Sequence, residues 1–402
     1  MKLTTLTKLS ALSLSLFSAS ALTASDDALL DLLVKKGVLS SAEATEVAAE
    51  LKDASGVSFS AKGKETIKLR FNGRMQFQYD ALSAEDNGAD VPSTNHFYFR
   101  RLFLGAKASL ENGIYAETVL DFAGDENPEL AFDKAIIGYK FNDALVGALG
   151  FQKVPFGYEE TSSSSKLPTI ERSAANRFFA DDIDFASRHT GLHAKGKLGA
   201  GFSYAAAVVN GVQGEGSKLG GGSNSDNDLA AYGRLQYKTE TGLLVGVDAG
   251  VQSNNGVVDA NSEGKILSYQ DVTAYTAYAN YKMGGLDLLG EYFSGDLGDK
   301  GDADGYAIRV AYKNGKFEPV FRYSYIKADE FGIDTDELIR RAPPVDISGT
   351  DSELTSYYVG LNYYLSKAAT FMVGYEIAEA ESKDKTDKNE IDGLRARLQV
   401  LW

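Results

Sequence analysis

The stretch Asp392-Gly-Leu-Arg-Ala-Arg-Leu-Gln-Val-Leu-Trp402 decides the fold class. Leu394, Ala396, Leu398, Val400 and Trp402 fall on one face of an extended strand, and Arg395, Arg397 and Gln399 on the other. A strand that is greasy on one side and cationic on the other suits a closed membrane barrel. Its outer face meets lipid, its inner face meets water, and the last strand is expected to zip to the first. A soluble sandwich also alternates, so the rest of the chain must repeat the pattern.

Composition points the same way. The 41 glycines, 22 tyrosines and 21 phenylalanines among 402 residues favour strands and turns. Cysteine is absent, which excludes disulfides, thiolate metal sites and a cysteine nucleophile. Residues 1–24 have the form of a secretory signal: Lys2 and Lys8, an apolar run from Leu9 to Leu22, and small residues before Ser25. The run is too short for a membrane helix, and no later stretch reaches about 18 uninterrupted apolar residues. The formal net charge of -15 becomes about -17 once those two lysines are removed, so non-specific nucleic-acid binding is not expected.

Residues 25–52 differ in pattern from the rest of the chain. Leu29, Leu30, Leu32, Leu33, Val38, Leu39, Val47 and Leu51 recur at helical spacing around Gly37. They predict a short periplasmic helical segment, too small to fold alone and suited to self-association or cell-wall contact. Residues 53–65 are expected as a linker, and residues 66–402 as one domain.

In that domain the first strand runs from Thr66 to Asp80, with Ile67, Leu69, Phe71, Met75, Phe77 and Tyr79 on one face. About sixteen such segments succeed one another, which predicts an all-β, transmembrane antiparallel barrel. Every second connection is minimal, as at Asn142-Asp143, Gly284-Gly285 and Asn314-Gly315. The others, 81–95, 124–129, 153–187, 212–228, 253–268, 296–302, 328–352 and 382–388, are mostly longer and polar. Sorting of short and long connections to opposite ends is expected of a barrel with one end in the periplasm and the other outside. Tyrosines crowding the later strands, Tyr275 to Tyr364, suit the membrane–water boundary. The third long connection, 153–187, mixes Leu167, Ile170, Phe178 and Phe179 with charges. That mixture fits an extracellular loop folded into a lumen, where it packs on the wall and still lines water.

Gly150-Phe-Gln-Lys-Val-Pro-Phe-Gly-Tyr-Glu-Glu160, Thr161-Ser162 and Ile170-Glu-Arg-Ser173 resemble the phosphate-selective porin O and P family. Weaker matches are Arg100-Arg101 in the second strand, Asp121 to Gly124, and Asn210-Gly211. The resemblance covers most of residues 66–402. It implies a sixteen-stranded, usually homotrimeric channel in the Gram-negative outer membrane, with lipid outside and an inward third loop. Ions and small polar solutes, phosphate among them, would diffuse through it passively.

Candidate anion contacts on inward faces are Arg70, Arg74, Arg101, Arg309, Arg322, Arg395 and Arg397. The third loop and its end add Lys153, Lys166, Arg172, Arg177 and Arg188. A column of guanidinium groups suits phosphate through forked hydrogen bonds and offers successive weak sites, which conduction needs. Glu159, Glu160 and Glu171 share the loop as constriction acids, so a basic wall facing an acidic loop would sort solutes by a transverse field. Two alternatives stand beside the anion channel: a general, weakly selective porin, and a secreted or surface β-protein that binds glycans. No catalytic residue, cofactor or metal site is expected. Glu159 and Glu160 are adjacent and point apart. His189 and His193 lie about 13 Å apart on a strand. Residues 220–228 lack a spaced calcium frame.

Overall fold

The computed structural model describes residues 57–61, 65–123, 130–211, 229–253 and 271–402. The signal sequence, the helical segment and the connections at 124–129, 212–228 and most of 253–268 lie outside the described residues. These fall into two compact units. In the smaller, comprising the described residues up to Phe71 together with 106–112, Val57–Ala61 forms a strand within the stretch expected as a linker. It pairs antiparallel with the start of the next strand, from Val57 opposite Leu69 to Ala61 opposite Glu65.

The larger unit, 72–105 and 113–402, holds the barrel. Its strands are β1 (Glu65–Asp86, of which 65–71 fall in the smaller unit), β2 (Ala89–Leu110, of which 106–110 do likewise), β3 (Ile114–Asp121), β4 (Ala131–Asn142), β5 (Leu145–Lys153), β6 (Arg188–Gly199), β7 (Phe202–Asn210) and β8 (Leu229–Lys238). They continue as β9 (Leu243–Ser253), β10 (Asp271–Met283), β11 (Leu286–Asp296), β12 (Asp302–Tyr312), β13 (Phe317–Ala328), β14 (Ser352–Tyr364), β15 (Ala369–Ser382) and β16 (Lys388–Leu401). The sixteen strands succeed one another around a ring. β16 closes it on β1, from Asn389 opposite Asp86 to Leu401 opposite Arg74. Trp402 completes the seam: its carbonyl accepts from Gly73 N at 2.9 Å, and its ring lies where a Cβ on residue 73 would be.

The closing strand behaves as its alternation demands. Leu398 and Trp402 are 41% and 56% exposed, whereas Arg395 and Arg397 are 0% and 1%. The same outward apolar band runs through Ile137, Leu192, Val247, Ile308 and Val359. The C-terminal end of the last strand and the minimal turns share one end of the barrel, as expected. Two expectations need correction. Residues 81–95 are not an open loop: β1 and β2 run on to a tight turn at Asn87-Gly88, both with positive φ, the conformation a two-residue hairpin requires. Three of the tyrosines point inward: Tyr278 packs over Gly246, Tyr358 fills the space left by Gly360 and Gly374, and Tyr364 donates to the buried Glu318.

One glycine sets the exit to the third loop. Gly150 in β5 has φ +126°, and a Cβ there would lie 2.2 Å from the Ala135 carbonyl oxygen. Gly150→Ala is expected to destabilise the barrel by about 1–3 kcal/mol, read by urea unfolding from lipid vesicles.

Candidate functional site

The connection from β5 to β6 runs along the inner face of the wall and is pinned to it by polar contacts. Val154-Pro-Phe156 enters an apolar cluster, and Gly157, at φ +76°, turns the chain. The helical turn α1 (Tyr158–Thr161) comes next. Its leading amides have no partner within the turn, and two wall carboxylates take them. Asp248 of β9 accepts from Gly157 N at 3.0 Å, and Glu291 of β11 accepts from Tyr158 N and Glu159 N. Pro168 and Ser165 offer carbonyls to Asn362 of β14 and Gln399 of β16. Ser173 then caps the turn α2 (Ala174–Arg177), whose Ala175 N donates to Ser324 of β13 at 3.1 Å.

Apolar packing completes the seat. Phe156, Phe178, Phe179 and Phe185 bury against Tyr232 of β8 and Phe293 of β11, with Phe179 stacked on Phe293 at 5.3 Å. The connection 329–351 joins the same cluster through Ile333, Leu338, Ile339, Val345 and Ile347. This corrects the expectation of a polar loop. Its apolar residues are plain in the sequence, but their spacing matches no single helix or strand. They are spread over two three-residue strands and the turn α3 (Thr335–Leu338).

Two states of cation result. The first is sealed. Arg309 pairs with Glu159 at 3.0 Å, Arg322 with Glu376, and Arg395 with Asp80 at 3.1 Å. Arg397 pairs with Glu171 at 2.7 Å. Arg172 staples the loop to itself, donating to the carbonyls of Glu159, Glu160 and Ser162 and pairing with the Glu160 carboxylate. Arg177 is buried between Asp181 and Glu337, away from the constriction acids. Arg101 is buried and donates to Gln76 at 3.1 Å.

The second state is half-exposed and gathers on the β1 and β4–β6 side. Arg74 donates to Ser163 Oγ at 3.1 Å and lies 4.3 Å from the Phe103 ring. The side chains of Lys153 and Arg188 are 21% and 28% exposed, paired with Glu160 and Asp133 respectively. Lys134 pairs with Glu117 beside them at 3.2 Å. Lys166 is exposed on the loop, and Arg70 falls in the smaller unit. Glu159 and Glu160 point apart as expected, toward Arg309 and toward Lys153 with Arg172.

Alternation along β2 assigns only Arg101 to the lumen. The burial pattern changes phase at this point, and Arg100 also points inward, donating from Nε to Glu171 at 3.0 Å. The signal is present in the chain: outward apolar residues shift from Phe97 and Phe99 to Leu102 and Leu104 across the arginine pair. The wall acids Asp80, Asp248, Glu291 and Glu376 also escape a reading aimed at cations, although each lies on an inward position.

Glu171 is the hub of the sealed set. Burial works to raise its carboxyl, but Arg100, Arg397 and Arg101 outweigh this and hold it well below the usual range. Burial likewise opposes ionisation of Glu160, and Arg172, Lys153 and Arg188 bring it down from 4.5 to about 2. Depressed carboxyls contribute stability above their unfolded pKa and lose it as pH falls through the folded one. The contribution of Glu160 to holding the loop is therefore expected to be intact above about pH 4.5 and to be lost as the pH falls toward about 2, read as rising open-channel noise over that range in single-channel recordings.

Among the described residues one carboxylate group has cation-binding spacing. Oxygens of Asp334, Asp336 and Asp346 lie within 4.8 Å of one another.

The family model for phosphate-selective porin O and P matches residues 69–402. The chain belongs to that family. It is an outer-membrane porin, in keeping with its lipid-facing exterior and polar interior. A protein of Aquifex aeolicus (strain VF5) is 24% identical over 420 residues, covering 90% of this porin and 92% of the relative. Among solved structures, the anion-selective porin from Comamonas acidovorans is 14% identical with a TM-score of 0.57, over 84% of this chain and all of that one. The outer membrane channel DcaP of Acinetobacter baumannii is 15% identical with a TM-score of 0.54, over 86% of this chain and all of that one. The trimer form of OmpT from Vibrio cholerae gives 14% and 0.51, over 84% and 99%. At these identities the likeness is one of fold.

Proposed function

We propose that this porin passes small hydrophilic anions, inorganic phosphate among them. The path runs between the edge of the third loop and the wall formed by β1 and β4–β6. One observation carries this reading. Except for Arg101, which donates to Gln76, the sealed arginines are matched by carboxylates; among the described residues the half-exposed side presents four cations, Arg74, Lys134, Lys153 and Arg188, against three paired acids, Glu117, Asp133 and the buried Glu160. A permeating anion meets several weak cationic contacts in succession, which lets it enter and leave. The anion selectivity of the Comamonas porin agrees with this reading.

The reading also takes the porin to be a passive channel without enzymatic activity. It is exported by residues 1–24, assembled as a homotrimer like the trimer form of OmpT, and held near the cell wall by residues 25–52. The third loop lies at the extracellular end. Reversal potentials across a KCl gradient in planar bilayers test the selectivity. Anion preference with partial block by phosphate is expected. A current with no ion preference and no phosphate block would leave a general porin, the reading favoured by the acids beside Lys153 and Arg188.

A further inference from the structure

A second basic group lies on the loop end of the Glu171 hub and uses residues from the connection 329–351. Two wall side chains fix its backbone. Thr94 Oγ1 of β2 donates to the Arg341 carbonyl, and Arg395 Nη2 of β16 donates to the Arg340 carbonyl, both at 2.9 Å. The Arg341 guanidinium lies 5.0 Å from the centroid of the Tyr98 ring. The imidazole of His96 lies 5.0 Å from the same ring, tilted by 33°. Tyr98 is itself held by its hydroxyl, which donates to Asp80 at 2.6 Å. His96, Tyr98, Arg340 and Arg341 are all half-exposed, whereas Arg395 beneath them is buried. Burial first, and then Arg100, hold Arg340 well below its ordinary value, with Arg341 and Arg395 adding to the effect, so four guanidinium groups crowd together here.

The group therefore combines positive charge with flat surfaces: an imidazole, a phenol ring and guanidinium planes. A compact oxyanion uses the charge alone. A carboxylate on an aromatic ring uses both, by a forked hydrogen bond to one guanidinium and by stacking of its ring on another. Along β2, His96 and Tyr98 are successive inward positions on the loop side of Arg100, about 7 Å apart. A solute held there is next in line for the constriction.

We propose that His96, Tyr98, Arg340 and Arg341 form a subsite for small aromatic carboxylates, a solute class beyond inorganic phosphate. The proposal rests on the reading of the porin as an anion channel. Its test uses the full porin in planar bilayers carrying chloride current, with benzoate, cyclohexanecarboxylate and inorganic phosphate as blockers. Benzoate and cyclohexanecarboxylate match in charge and nearly in size, so a difference between them reports the ring. Benzoate is expected to block at about fivefold lower concentration than cyclohexanecarboxylate, the size of one exposed cation–π contact. Arg341→Lys keeps the charge and removes the plane. It is expected to abolish the difference and leave phosphate block unchanged, with unblocked conductance as the check on folding. His96→Ala is expected to shrink the difference without altering ion preference. Equal block by the two carboxylates in the native porin, or a benzoate preference that survives Arg341→Lys, overturns the proposal. Cation preference across a KCl gradient would overturn the anion reading instead, so the two failures are distinct.

Discussion

Glu171→Ala is expected to loosen the third loop, raising single-channel conductance and open-channel noise. The Glu171 carboxylate takes hydrogen bonds from Arg100 of β2, Arg397 of β16 and Gln78 of β1, and its carbonyl takes one from Arg322 of β13. Four strands are thus tied to one loop residue. Removing the carboxylate leaves buried guanidinium groups without their anion, and breaking such a pair costs about 3–5 kcal/mol. The barrel ladder does not depend on this contact, so the loss falls on the loop. The loop keeps its other anchors at Asp248, Glu291 and the phenylalanine cluster, so it shifts rather than detaches. Cleavage by added protease within the serine run 162–165 should rise in parallel. Glu171→Gln, which keeps the shape and loses the charge, is expected to fall between. Unchanged conductance and unchanged protease resistance in Glu171→Ala would mean that the hub does not control the constriction.

How far the sequence reveals this arrangement depends on the range of the interaction. Strand existence and the sorting of turns are local, since an alternating face and a glycine or asparagine turn are visible in a dozen residues. The inward third loop is legible because Leu167, Ile170, Phe178 and Phe179 have no reason to face water. The pairing of the arginines is not legible. Arg309 and Glu159 are 150 residues apart, and Arg397 and Glu171 are 226 apart, so nothing in either neighbourhood fixes which acid each finds. An inward arginine on a strand reads the same whether it meets an ion or a loop carboxylate. The packing of 329–351 against the third loop is hidden for a related reason. Its apolar residues keep to no single period because they are divided among strand, helical turn and coil.

The division into sealed and half-exposed cations bears directly on selectivity. Lys153→Glu together with Arg188→Glu is expected to turn anion preference into cation preference, read as a reversed sign of the zero-current potential across a KCl gradient. Each substitution changes the local charge by two units, and both positions lie beside acids already present, Glu160 and Asp133. At physiological salt the field of an exposed charge reaches about 8 Å, enough to act on ions passing a narrow constriction. Arg177→Glu is the contrast. By sequence alone Arg177 ranks with Arg172 as a permeation residue, yet its guanidinium is buried against Asp181 and Glu337 in the apolar seat of the loop. A carboxylate there faces two others without a cation between them, which is expected to lower stability by about 3–5 kcal/mol while the zero-current potential keeps its sign. If Arg177→Glu moved that potential as far as the Lys153 and Arg188 pair does, exposure within the lumen would not be what separates the arginines that select from those that hold the loop.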